Sequence, residues 1–131
     1  MKKPSIFIVE DSNVFLQMLK LKLKQLYKNT VTIKGFTESE TFLEMLKENV
    51  EVVIMDLYLD EQSKIDGLDL LQKVKELYPS TFVLILTAEE NLEIAKKCFK
   101  LGADSYMVKS PEFIDKIVKE IHYKISLTNF K

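Results

Sequence analysis

The sequence predicts an α/β protein in which a doubly wound parallel sheet is assembled from five strand–helix units in a single three-layer domain. Three observations carry this. Five short apolar runs punctuate the 131 residues, and each is followed by a segment with helical spacing of its apolar positions. The runs are apolar along their length, as expected of strands covered on both faces. Glycine and proline number only 3 each, so most residues belong to regular elements. Strands of this kind joined by helices call for a parallel sheet with right-handed crossovers and helices on both sides.

The bulk properties bound the function. The length suits one domain with a real core. A hydrophobic content of 47% and a charged content of 30% describe a globular chain. A formal net charge of -1 supplies no general basic field for nucleic acid. No apolar run is long enough to span a bilayer, and the first strand follows almost directly on the N-terminus, so no membrane partner, no signal peptide and a cytoplasmic location are expected. The one cysteine, Cys98, excludes an internal disulfide and a cysteine metal cage, and packing explains it better than redox chemistry.

Along the chain, residues 5–9 (SIFIV) form the first strand and end in Glu10-Asp11. Ser12-Asn13 can cap a helix over 14–27. That segment contains Leu19-Lys20-Leu21-Lys22-Leu23-Lys24, which alternates like a strand. Phe15, Leu16, Leu19, Leu23 and Leu26 also fit a helical face, and the absence of β-branching there favours the helix. Its lysines are read as a solvated face. Residues 31–33 form a short second strand. Thr37 and Glu40 have the spacing of a capping box, opening a helix to about Glu48. Residues 52–56 (VVIMD) form the central strand, closed by Asp56. A polar loop over 59–67 leads to a helix over 68–77 that stops before Pro79. Residues 82–86 (FVLIL) form the fourth strand, ending in Thr87-Ala88. A helix over 91–101 has Gly102 as its left-handed stop. Residues 105–108 (SYMV) form the last strand, ending at Lys109. Ser110-Pro111 opens the final helix, whose apolar face contains Phe113, Ile117, Ile121 and Ile125.

In such a sheet all strand carboxyl ends share one edge, where ligands bind. Glu10, Asp11, Asp56, Thr87 and Lys109 should therefore converge. Three adjacent carboxylates repel one another, and a hard divalent cation relieves this; Mg²⁺ suits best, with Mn²⁺ as the substitute. A hydroxyl and an ammonium beside such an ion form a site for a phosphoryl group. No Ser–His or Cys–His pair is evident; the sole histidine, His122, reads as a surface residue of the last helix. A carboxylate can itself accept phosphoryl as an acyl phosphate, which makes Asp56 the candidate nucleophile.

The acidic pair after the first strand, Asp56 after the third, Thr87-Ala88 after the fourth, the aromatic Tyr106 in the fifth and Lys109 after it resemble the receiver domain of bacterial two-component response regulators over essentially the whole chain. The resemblance implies a flavodoxin-like (βα)5 sheet in the order 2-1-3-4-5. It implies a signalling domain, not an independent enzyme, that takes a phosphoryl group on Asp56 from a histidine kinase or phosphotransfer protein. It places Mg²⁺ on Glu10, Asp11, Asp56 and the backbone carbonyl of Tyr58, and Lys109 against the phosphoryl oxygens. Thr87 and Tyr106 become a coupled switch acting on the surface of the fourth helix, fifth strand and fifth helix. That surface would meet a downstream protein, an output domain of the same protein or a second copy in a homodimer, with no direct contact to nucleic acid. No output domain is evident within residues 1–131.

The sequence departs from the family pattern in four places. Ser110 separates Lys109 from Pro111, leaving the geometry of the Lys109–Ser110 peptide open. The acidic pair is Glu-Asp. The loop after Asp56 is longer than usual, and its Asp60, Glu61 and Asp66 either bear on donor recognition or are simply solvated. Tyr58 and Glu89 occupy positions that shape access of water to an acyl phosphate. Three other functions compete with this one. An aspartyl-phosphate hydrolase needs a second Asp where Tyr58 stands. A flavin carrier needs a hydroxyl- and glycine-rich loop where Glu10-Asp11-Ser12-Asn13 stands. A phosphorylation-independent adaptor has no need of the complete acidic, Thr and Lys set.

Overall fold

The computed structural model describes residues 3–57, 66–110 and 112–129. Ten elements alternate: β1 (Ser5–Val9), α1 (Asn13–Tyr27), β2 (Thr32–Phe36), α2 (Ser39–Met45), β3 (Val50–Asp56), α3 (Gly67–Leu77), β4 (Phe82–Thr87), α4 (Leu92–Lys100), β5 (Ser105–Val108) and α5 (Phe113–Asn129). The strands are parallel and lie in the order β2-β1-β3-β4-β5, the flavodoxin-like arrangement expected.

Alternation along each strand splits the interior into two cores. Ile6, Ile8, Val52, Ile54, Leu84 and Leu86 face α1 and α5. Phe7, Val9, Val53, Met55, Val83 and Ile85 face α2, α3 and α4. Burying an aliphatic or aromatic side chain of this size contributes about 1.5–3 kcal/mol, which explains why residues 52–55 of β3 and 82–86 of β4 run without a polar side chain.

The alternating LKLKLK run is helical. Leu16, Leu19, Leu23 and Tyr27 are buried at helical spacing, while Leu21 points outward. The Ser12 hydroxyl caps α1 by accepting from the Phe15 N–H. Leu26, expected on the inner face, is exposed, because Tyr27 takes the last inward place. β2 starts one residue later than expected and runs on to Phe36, pairing Ser5 with Thr32 through Val9 with Phe36. Lys34 and Gly35 concealed it. As a strand at the sheet edge, β2 tolerates the exposed Lys34. At Gly35 a Cβ would lie 2.7 Å from Leu16 Cδ1, so a larger residue there would have to displace that side chain.

α2 is shorter than expected. Its N-cap position is Glu38, not Thr37, and it ends at Met45 instead of Glu48. Leu46 adopts extended backbone (φ -68°, ψ 135°) and turns into the core, which lets β3 begin at Val50 beside Ser5, two residues before the apolar run at Val52. α3 is capped by Asp66, whose carboxylate accepts from the Asp69 N–H at 2.9 Å. α4 is capped in the same way by Asn91, and Gly102 follows it at φ 104° as the left-handed stop. Phe113, Ile117, Ile121 and Ile125 form the buried face of α5; Pro111, expected in its first turn, lies outside the described residues. Among the described residues all peptide bonds are trans, Lys109–Ser110 included.

A polar clasp joins α3, β4 and the turn before β5. Lys75 Nζ donates to Asp104 Oδ2 at 2.8 Å and to the carbonyls of Thr81 and Pro79. The same Asp104 oxygen accepts from the Val83 N–H at 2.8 Å.

Candidate functional site

The ends of β1, β3, β4 and β5 meet at the carboxyl edge of the sheet. The Glu10 N–H donates to the Phe36 carbonyl at 2.9 Å, which continues the β1–β2 ladder by one step and turns the Glu10 side chain inward. Glu10 and Asp56 are 2% and 6% exposed, and Asp11 is open to solvent. Each of the three offers a carboxylate oxygen within 4.8 Å of the others. The Lys109 N–H donates to the Thr87 carbonyl at 2.7 Å and fixes the root of the lysine. From there the ammonium reaches Glu10 Oε2 at 3.0 Å, Glu10 Oε1 at 3.3 Å and Asp56 Oδ2 at 3.4 Å. It also lies 4.3 Å from the centroid of the Phe15 ring.

Burying Glu10 beside Asp56 has an electrostatic consequence. Its carboxyl is pushed up to about 7, first by desolvation and second by the Asp56 charge. The bonds from Lys109 and from the Ser12 N–H (3.2 Å) act in the opposite direction without cancelling the rise. Such a cluster of hard oxygen donors favours an added cation.

Thr87 closes β4 and is fully buried. Its hydroxyl accepts from the Glu89 N–H at 3.3 Å, and the Tyr106 hydroxyl donates to the Glu89 carbonyl at 2.9 Å. Thr87 and Tyr106 are thus joined through the two ends of one residue.

Glu10, Asp11, Asp56 and Lys109 are brought together as expected, and Thr87 sits on the neighbouring strand end. Tyr58, expected to offer its backbone carbonyl, and loop residues 59–65, Asp60 and Glu61 among them, lie outside the described residues. Two participants carry roles that sequence spacing does not signal. Glu89, whose position in the sequence points only to water access, bridges Thr87 and Tyr106, and Phe15, part of the inner face of α1, lies against the Lys109 ammonium. Cys98 is buried in the core, where desolvation raises its thiol pKa, and His122 is exposed with its ring stacked near Tyr27.

The model of the response regulator receiver domain matches residues 6–122. The chain belongs to that family. It is therefore a receiver domain of two-component response regulators, a signalling domain whose members work with histidine kinases and output domains. It is 30% identical to a putative NtrX-like response regulator of Rickettsia felis over 100% of this chain and 27% of that protein. It is 31% identical to the heme response regulator HssR of Staphylococcus epidermidis over 90% of this chain and 48% of that protein. The chain thus spans between about a quarter and a half of the length of these relatives. Among solved structures, the BeF3-activated receiver domain of DrrB, a Thermotoga maritima response regulator, superposes with a TM-score of 0.81 at 28% identity, covering 95% of this chain and 99% of that one. Among the described residues of the receiver domain, no helix is long and apolar enough to cross a membrane.

Proposed function

We propose that this receiver domain takes a phosphoryl group on Asp56 from a histidine kinase or phosphotransfer protein, in a reaction dependent on Mg²⁺ or Mn²⁺. The observation that carries the reading is the Lys109 ammonium held between the buried carboxylates of Glu10 and Asp56 at 3.0 and 3.4 Å, with Asp11 in the same cluster.

An Asp56 oxygen attacks phosphorus, and the P–N bond to the donor histidine breaks with its electron pair returning to the imidazole nitrogen. Glu10, Asp11 and Asp56 are the side chains suited to hold the cation, with the Tyr58 carbonyl as the further ligand that the resemblance implies. When bound, the ion neutralises the phosphoryl oxygens as charge develops on them. Lys109 already touches Asp56, so an added phosphoryl group arrives within reach of its ammonium. With Glu10 engaged in holding a cation, the Lys109 ammonium would be available to the phosphoryl oxygens.

Thr87 then exchanges the Glu89 N–H for a bond to the phosphoryl group. Glu89 is also the partner of Tyr106, so the change carries to the surface formed by α4, β5 and α5. Phosphorylation acts as a shift between two populated states of one fold. That surface serves a downstream protein, an output domain or a second copy. The reading places the domain in the cytoplasm.

Intact mass after incubation with Mg²⁺ and acetyl phosphate tests the reading. One phosphoryl group is expected on the wild type, none when the cation is chelated and none on Asp56→Ala. Uptake by Asp56→Ala, or no uptake from either acetyl phosphate or a phosphohistidine donor, would sink it.

A further inference from the structure

We infer that Phe15 is a positioning residue for Lys109, an aromatic platform that keeps the ammonium at the acceptor carboxylate whichever anion it is bonded to. The inference rests on the phosphoacceptor reading of Asp56.

Lys109 lies on the far side of the sequence from α1, yet its Nζ stands 4.3 Å from the centroid of the Phe15 ring. A ring face attracts a cation through its quadrupole, and the attraction grows where water is excluded. The site meets that condition, since the lysine side chain is largely buried and its two carboxylate partners are almost wholly so. The ring is itself fixed. It stacks on Phe113 with centroids 4.8 Å apart and planes 20° from parallel. Phe113 is buried at the start of α5, just after the segment that carries Lys109. The platform thus ties the first turn of α1 to the first turn of α5, with the lysine root just past the end of β5.

Lysine is a flexible point charge with no geometry of its own to impose. In the resting protein its ammonium has two anchors, Glu10 and Asp56, and the Glu10 contacts are the shorter. A charge held by anions alone would follow the strongest of them. The Phe15 ring adds an attraction that does not depend on which anion is bonded. It limits the volume the ammonium samples while its partner changes from Glu10 to a phosphoryl oxygen. The expected contribution is to the rate of phosphoryl uptake and not to donor affinity.

The test measures acetyl phosphate uptake, by intact mass in Mg²⁺, for a series at position 15 in the full chain. Phe15→Leu keeps an apolar side chain without the quadrupole, Phe15→Tyr keeps the quadrupole, and progressively fluorinated phenylalanines weaken it at nearly constant shape. The maximal rate is expected to fall about three- to tenfold in Phe15→Leu, to stay within about twofold of wild type in Phe15→Tyr, and to decline step by step with fluorination. The half-saturating donor concentration should change little. In a Lys109→Ala background the same substitutions should have no further effect on the rate. In parallel, NMR of the resting chain should show Lys109 side-chain protons displaced by the ring current, and the displacement should vanish in Phe15→Leu. Equal rates across the series, or equal losses with and without Lys109, would overturn the inference and leave Phe15 a packing residue. Absence of uptake by the wild type itself would overturn the reading beneath it, and is recognised because the loss would then not depend on position 15.

Discussion

Two lysines of this chain each bind a carboxylate across the fold, and they are built differently. Lys75 meets Asp104 at 2.8 Å, and its remaining protons go to backbone carbonyls. The Asp104 oxygen it uses also accepts from the Val83 N–H. The acid and base match one to one, and backbone groups complete them. Lys109 stands between two buried carboxylates at longer distances, with a third carboxylate in the cluster. The first arrangement is complete and ties α3, β4 and the turn before β5 into one unit. The second holds more negative than positive charge among the described residues, and Glu10 is raised to about 7, first by burial and then by the Asp56 charge. Balanced charge marks a structural joint, and unbalanced buried charge marks a place prepared for something to bind.

The comparison can be broken in several ways. The largest effect expected is on chemistry: Asp56→Ala should abolish phosphoryl uptake while leaving the fold intact, because it removes one member of a repelling group. Circular dichroism beside intact mass checks both halves.

Next comes pH. The Glu10 carboxyl titrates near 7 in the folded chain and near 4.5 when unperturbed, so the folded protein keeps a proton that the unfolded chain gives up. Stability present below about pH 4.5 should be lost as pH rises through about 7, by about 1–3 kcal/mol in chelator. Melts in EDTA at pH 5 and pH 8 measure this, and Glu10→Gln should flatten the difference.

Asp104→Ala should cost about 1–2 kcal/mol, since Lys75 keeps its carbonyl partners while the Val83 N–H loses its acceptor and the acid is partly solvated. Urea melts read the loss, and phosphoryl uptake should be unchanged. The smallest effect is expected for Tyr106→Phe, which removes one exposed bond to the Glu89 carbonyl. Its stability should move by less than about 1 kcal/mol. Amide shifts around Glu89 on phosphorylation should no longer extend to β5.

The strand ends were legible in the sequence because buried parallel strands are apolar until the edge, where Asp56, Thr87 and Lys109 break the run. Topology then forces those breaks together, so a site spanning 99 positions between Glu10 and Lys109 could be read without a contact in hand. The edge strand was harder. β2 needs an inward face only, and Lys34 and Gly35 hid its second half. The end of α2 depended on Leu46 turning inward, which local periodicity does not encode. The cation–π contact of Phe15 and the bridging role of Glu89 rest on side-chain placement and backbone groups, for which sequence spacing carries no signal.

The most direct measurement is the melting temperature with Mg²⁺ alone, with beryllium trifluoride alone and with both. If the site is built for a cation and a phosphoryl group together, the two ligands should stabilise by more than the sum of their separate effects. At a concentration about a hundredfold above its own dissociation constant each ligand alone should contribute about 3 kcal/mol, and the pair should exceed the sum of the two. The coupling should vanish in Asp56→Ala and persist in Asp104→Ala despite its lower starting point. Additive shifts, or coupling that survives without Asp56, would contradict the account.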